Sequence, residues 1–167
     1  MPVLYVNDGE HDLEIGSNLP LLWALRDQIG LSSPKYGCGL EQCGACRVLV
    51  DGVPVASCRT RCGDVAGRPV ATLEALRATA EGHEVIEGLL RANAAQCGYC
   101  LPGIAVTLIW LAMRRPVPFD EVVRALDDHL CRCGSHPRIL RVARTIFDPD
   151  PDAAGDGSRA GHGNGET

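Results

Sequence analysis

Residues 38–46 read CGLEQCGAC, which sets Cys38, Cys43 and Cys46 in a C-x4-C-x2-C array, and Cys58 follows after eleven intervening residues as a fourth thiol. That spacing, with a distant fourth cysteine, is the plant-type ligand pattern for a [2Fe-2S] cluster. Gly37, Gly39 and Gly44 interrupt the run. Residues without Cβ let a backbone curl round a small inorganic core and bring its N–H groups close to sulfur.

The chain has 167 residues, nine of them cysteine, and a net charge of −5. That length fits one domain or two small ones, neither with a large core, so bound metal would help to hold the fold. Lys35 is the single lysine among sixteen Lys and Arg, and no basic stripe forms, which leaves no electrostatic case for nucleic acid or an anionic membrane. The first fifteen residues show neither a charged n-region nor a long apolar core, and the most apolar run, Ile104–Met113, is too short to span a bilayer. We therefore expect a soluble chain without an export signal of its own and without direct membrane insertion. Thiols in such a chain point to metal rather than to disulfides.

Val3–Asn7 and His11–Ile15 read as strands joined at Asp8-Gly9, and Pro20 opens a helix that Gly30 stops. Arg47–Val50 and Val53–Ser57 flank Asp51-Gly52 as a second hairpin, whose far end delivers Cys58 towards the glycine-rich loop. Arg59–Val70, rich in glycine and charge, reads as a link between two halves. From Leu73 the periodicity is helical, giving four helices of useful length over His83–Ala95, Pro102–Arg114, Phe119–Leu130 and Pro137–Phe147. The class expected is α+β, with domains over 1–72 and 73–147 and a disordered tail over 148–167.

A second set of thiols lies on the helical half. Cys97 and Cys100 form a C-x2-C at one helix end, and Cys131 and Cys133 a C-x-C at another. Four sulfurs meeting there suit a [2Fe-2S] cluster, and spacing alone leaves a structural zinc open. A redox dithiol at CGYC fits poorly, because that motif belongs after a strand in a βαβ setting. Cys62 has no partner and reads as packing or simple exposure; His129 and His136 flank the C-x-C pair and read as structural or surface residues.

GCGLEQCGACRV, QCGYCLPG and LCRCGSHPRI, in this order and with these gaps, strongly resemble the iron-sulfur small subunit of the molybdenum hydroxylases, the group of xanthine dehydrogenase and the aldehyde oxidoreductases. The last motif resembles most the isoquinoline 1-oxidoreductase, nicotinate dehydrogenase and aldehyde dehydrogenase small subunits. The resemblance implies a β-grasp ferredoxin-like domain followed by a four-helix domain, each with one [2Fe-2S] cluster. By position, Cys38, Cys43, Cys46 and Cys58 would hold the first cluster and Cys97, Cys100, Cys131 and Cys133 the second. Gln96 and the backbone amide of Cys133 would contact the pterin of a molybdenum cofactor carried by a separate large subunit, where an aldehyde or N-heteroaromatic is hydroxylated.

The resemblance implies a relay, from molybdenum through the helical cluster to the first cluster and then to a cytochrome c or a flavin. The compartment is left as cytoplasm or periplasm. Two rival readings stand beside this one: a free-standing ferredoxin-like carrier, which gives no reason for the second motif pair, and a zinc-stabilised interaction module.

Overall fold

The computed structural model describes residues 2–149. The expected tail therefore lies outside the described residues apart from Asp148 and Pro149.

The chain opens as a hairpin, β1 (Val3–Val6) and β2 (Gly9–Asp12), paired antiparallel with Val6 opposite Gly9. Its turn is centred on Asn7 (φ 51°) and Asp8 (φ 66°), one residue earlier than the sequence suggested. Asn and Asp accept the left-handed conformation that tight hairpin turns need, so Gly9 is free to start the strand. The helix after Pro20 runs as α1 (Leu21–Trp23) and continues as a π-helical segment over Ala24–Gln28, burying Leu21, Leu22, Ala24 and Leu25. Gly30, at φ 82°, ends it.

β3 (Arg47–Val50) and β4 (Val53–Ala56) form the second hairpin, turning at Asp51 (φ 49°) and Gly52 (φ 73°). The segment read as a link contains instead a 3-10 turn, Cys62–Val65, and a short strand, β5 (Pro69–Ala71). β5 pairs parallel with β1 and antiparallel with β3, so the sheet order is β2-β1-β5-β3-β4. At three residues, bounded by Gly67 and Thr72, this central strand is too short to carry a period-2 signal.

β3 explains how the two halves join. Val48 and Val50 face α1 and the first core, with Leu4, Leu21, Leu25 and Cys62, whereas Leu49 faces the helical core. Covered on both faces, the strand is apolar at consecutive positions rather than alternating. The helical half is α2 (Leu73–Leu76), α3 (Ala80–Arg91), α4 (Leu101–Ala112), α5 (Phe119–Asp127) and α6 (His136–Phe147). α4 is buried almost all round and packs on the sheet as well as on its neighbours, which is why its sequence, LPGIAVTLIWLA, lacks a polar face. A mixed sheet crossed by one helix and followed by a helical bundle is the β-grasp and four-helix arrangement that the motifs implied.

One carboxylate ties the halves together at the surface. Glu74 of α2 accepts hydrogen bonds from the backbone N–H of Ser32 (3.0 Å) and Ser33 (2.8 Å), and from the hydroxyls of Ser33 and Thr72. Lys35 N–H donates to Ala45 O at 2.9 Å, so this stretch in turn frames the cysteine loop.

Candidate metal centres

The loop between Gly37 and Cys46 is held by its own sulfurs. Backbone N–H groups of Leu40 and Gln42 donate to Cys38 Sγ at 3.3 and 3.2 Å, and Cys38 N–H donates to Cys43 Sγ at 3.3 Å. Positive φ at Gly39 (68°), Glu41 (63°) and Gly44 (67°) provides the curl. A Cβ at Gly37 would stand 2.6 Å from Cys43 Sγ, so the glycine is required for the sulfur to sit where it does. Cys46 and Cys58 lie deeper, packed with Leu22 and Ala56, and Ser57 Oγ donates to Cys46 O at 2.7 Å.

Cys97, Cys100, Cys131 and Cys133 converge where the chain enters α4 and α6. Cys100 is the N-cap of α4; Cys131 and Cys133 lie in the turn between α5 and α6. Gly98 (φ 77°) and Gly134 (φ 72°) make the bends. Cys133 Sγ is 3.5 Å from Cys97 Sγ, and Ser135 N–H donates to Cys131 Sγ at 3.4 Å. Cys97 and Gln96 are exposed, and Gln96 Nε2 donates to Cys133 O at 3.1 Å.

Thiols interact within each group: Cys38 with Cys43, Cys46 with Cys58 and Cys43, Cys97 with Cys133 and Cys131, and Cys100 with Cys131 and Cys97. Four thiols gather in each group, the number that a [2Fe-2S] centre would draw on and that a structural zinc would also use. Cys97 of the C-x2-C pair also meets Cys133 of the C-x-C pair, so the dithiol is not isolated from the second pair.

The electrostatics divide the same way. Burial alone would raise the Cys38 thiol, but the N–H groups of Leu40 and Gln42 outweigh it and hold the pKa at about 7. Burial pushes Cys46 up to about 12, and burial with the Cys131 contact pushes Cys100 to about 12. The Tyr99 N–H holds Cys97 below its ordinary value. Cys46 and Cys100, raised by burial, become thiolates only when a metal supplies the compensating charge. Cys62 is also buried, and burial raises it, but it sits in the first core away from both groups, as the sequence implied.

The two groups are neighbours. Cys43, Ala45, Cys100, Leu130 and Cys131 border one cavity of about 160 Å³. Leu130 N–H donates to Cys43 O at 3.2 Å, and Tyr99 Oη donates to Tyr36 O at 2.6 Å, so each cysteine segment is hydrogen-bonded to the other half. Gly103 of α4 packs on Gly44 O, where any Cβ would overlap it. His129 is buried between the halves, and burial with the neighbouring Arg47 charge lowers it to about 3. Ser57, Tyr99 and Gly103 carried no signal that spacing rules could isolate; only their adjacency to the motifs marked them.

Residues 4–69 match the family model described as a 2Fe-2S iron-sulfur cluster binding domain, and residues 72–144 the one described as a [2Fe-2S] binding domain. Over 142 residues the chain is 44% identical to a subunit of nicotinate dehydrogenase from Pseudomonas putida, covering 84% of this chain and 90% of that one. This chain belongs to the iron-sulfur subunits of the molybdenum hydroxylases. It is also 39% identical over 127 residues to the alpha subunit of isoquinoline 1-oxidoreductase from Brevundimonas diminuta, covering 75% of this chain and 83% of that one. A crystal structure of quinoline 2-oxidoreductase from Pseudomonas putida 86 superposes with a TM-score of 0.79 at 30% identity, over 89% of this chain and 91% of its own.

As a molybdenum hydroxylase iron-sulfur subunit, the chain carries two [2Fe-2S] domains and serves electron transfer for a molybdenum-dependent oxidoreductase. No helix among the described residues is long and apolar enough to cross a membrane.

Proposed function

We propose that this subunit relays electrons from the molybdenum-pterin centre of a large partner subunit, through two [2Fe-2S] clusters in series, to an external acceptor. Cys97, Cys100, Cys131 and Cys133 hold the cluster nearer the pterin, and Cys38, Cys43, Cys46 and Cys58 the one nearer the exit, in domains 73–147 and 1–72. The observation that carries this reading is that Cys43 of the first group shares a cavity with all four thiols of the second, joined by the Leu130 to Cys43 hydrogen bond. Bound there, the two centres supply one-electron storage beside a reaction that releases electrons two at a time.

The chain's own groups do the rest. Gln96 is exposed and already hydrogen-bonded to Cys133 O, so its amide and the Cys133 backbone are positioned at the face a pterin would meet. Leu40, Gln42 and Ser135 donate N–H groups to sulfur, which favours the more negative state of a cluster and raises its potential. The reaction served is hydroxylation of an aldehyde or N-heteroaromatic on the large subunit; similarity to nicotinate dehydrogenase and isoquinoline 1-oxidoreductase subunits favours the N-heteroaromatic. Electrons leave to a cytochrome c or a flavin.

Purifying the native complex tests this reading. The expected product is a brown complex with a large molybdenum protein and about four iron and four sulfide per copy of this chain. A chain that purifies alone, with or without iron, contradicts the subunit role and returns the free carrier or the zinc module.

A further inference from the structure

We propose that His129 is a positioning residue that sets the spacing between the two cluster sites, a role that rests on the two-cluster reading above. His129 is 2% exposed and lies at the end of α5, two residues before Cys131. One ring nitrogen is pinned: Nε2 shares a 2.9 Å hydrogen bond with Thr107 Oγ1 on α4. The opposite edge of the ring bears on the other half of the molecule, because a Cβ at Gly44 would overlap Nδ1 and its neighbouring ring carbons. Gly44 is therefore clamped between the imidazole and Gly103 of α4, and it lies between Cys43 and Cys46.

The residue that follows the ring supplies the joint between the two sites. Leu130 N–H donates to Cys43 O at 3.2 Å, with Cys131 next in sequence. A rigid ring held by Thr107 on one side and stopped by Gly44 on the other decides where that amide meets that carbonyl.

Packing alone does not account for a histidine here. Among the described residues the buried side-chain nitrogens without a hydrogen-bond partner are His129 Nδ1 and Arg47 Nε. Both lie at this seam, where Arg47 follows Cys46 and pairs with Asp128 at 3.7 Å. An apolar side chain of similar volume would remove the unpartnered Nδ1 but leave the buried Thr107 hydroxyl without its partner, so the imidazole is held here by its contacts rather than by volume alone. Electron passage falls steeply with separation, so the geometry kept here bears directly on the relay.

The test uses the whole complex with His129→Ala, His129→Gln and Thr107→Val. In the parent, both reduced clusters are expected to give paramagnetic signals that split one another through space. His129→Ala is expected to keep the parent iron and sulfide content while that splitting narrows measurably, and to slow electron passage between the clusters roughly tenfold, as an ångström-scale loss of positioning does. His129→Gln, which keeps a planar group able to bond Thr107, recovers most of both. Parent-like splitting and rate in His129→Ala overturn the role. If His129→Ala sheds iron, Thr107→Val decides: weakened splitting with full iron supports the role, and parent-like behaviour overturns it. A parent complex without two cluster signals overturns the proposed function itself, which separates the two failures.

Discussion

Gly44 stands at φ 67° with His129 where its side chain would be. Alanine there pays the left-handed penalty of about 1 kcal/mol and also drives the loop off the imidazole. Gly44→Ala is therefore expected to lose the Cys38–Cys58 cluster and keep the helical one, so that iron falls to about two per chain. Iron analysis with visible circular dichroism reads this directly, and full iron in the variant contradicts the loop geometry. The complementary lesion is Cys100→Ser. Cys100 is the N-cap of α4 and pairs with Cys131, so its loss is expected to abolish the helical centre and stop turnover with the physiological acceptor while the first centre remains. Turnover at the parent rate would remove Cys100 from the ligand set.

Glu74 gives a prediction with a pH sign. Burial raises its carboxyl, but hydrogen bonds from Ser33 and Thr72 outweigh this and hold it below its ordinary 4.5. A depressed carboxyl contributes stability that is fully present above 4.5 and is lost as pH falls through the folded value. Glu74→Gln is expected to lower stability near neutrality by about 1 kcal/mol, a charged hydrogen bond discounted for solvent screening, with the gap to the parent closing as pH falls below 4.5 through the folded value. Urea midpoints at several pH values check both the size and the direction.

At the scale of elements, α4 is the common support. Its first turn carries Cys100 and Gly103, its middle carries Thr107, and it packs against β3 as well as against α3, α5 and α6. Leu108 is fully buried in that helix, so Leu108→Ala is expected to cost about 2–5 kcal/mol in chemical denaturation. A cost below about 1 kcal/mol would show that the helix is not the shared core. The helices were legible in the sequence because amphipathic α3, α5 and α6 repeat at helical period and because Pro102 and Pro137 open two of the expected helices. The two hairpins were legible from Asp8-Gly9 and Asp51-Gly52, although the first turn sits one residue earlier because Asn7 tolerates positive φ. β5 was not legible, since a strand paired on both edges needs only three residues and draws its stability from β1 and β3 rather than from its own propensity. The cysteine groups were legible from spacing, but their mutual approach was not, because it depends on tertiary contacts between Leu130 and Cys43 and between Gly103 and Gly44.

For the whole molecule, the sheet and the helical bundle meet along β3 and α4, and the same meeting brings Cys43 of the first group to the thiols of the second. A chain shaped this way serves to hold two metal centres at a fixed separation beside a partner. Electron paramagnetic resonance of the reduced native complex tests that most directly. Two distinct [2Fe-2S] signals of equal integrated intensity, split by mutual interaction, are the predicted result; a single signal, or a diamagnetic chain containing zinc, would contradict it.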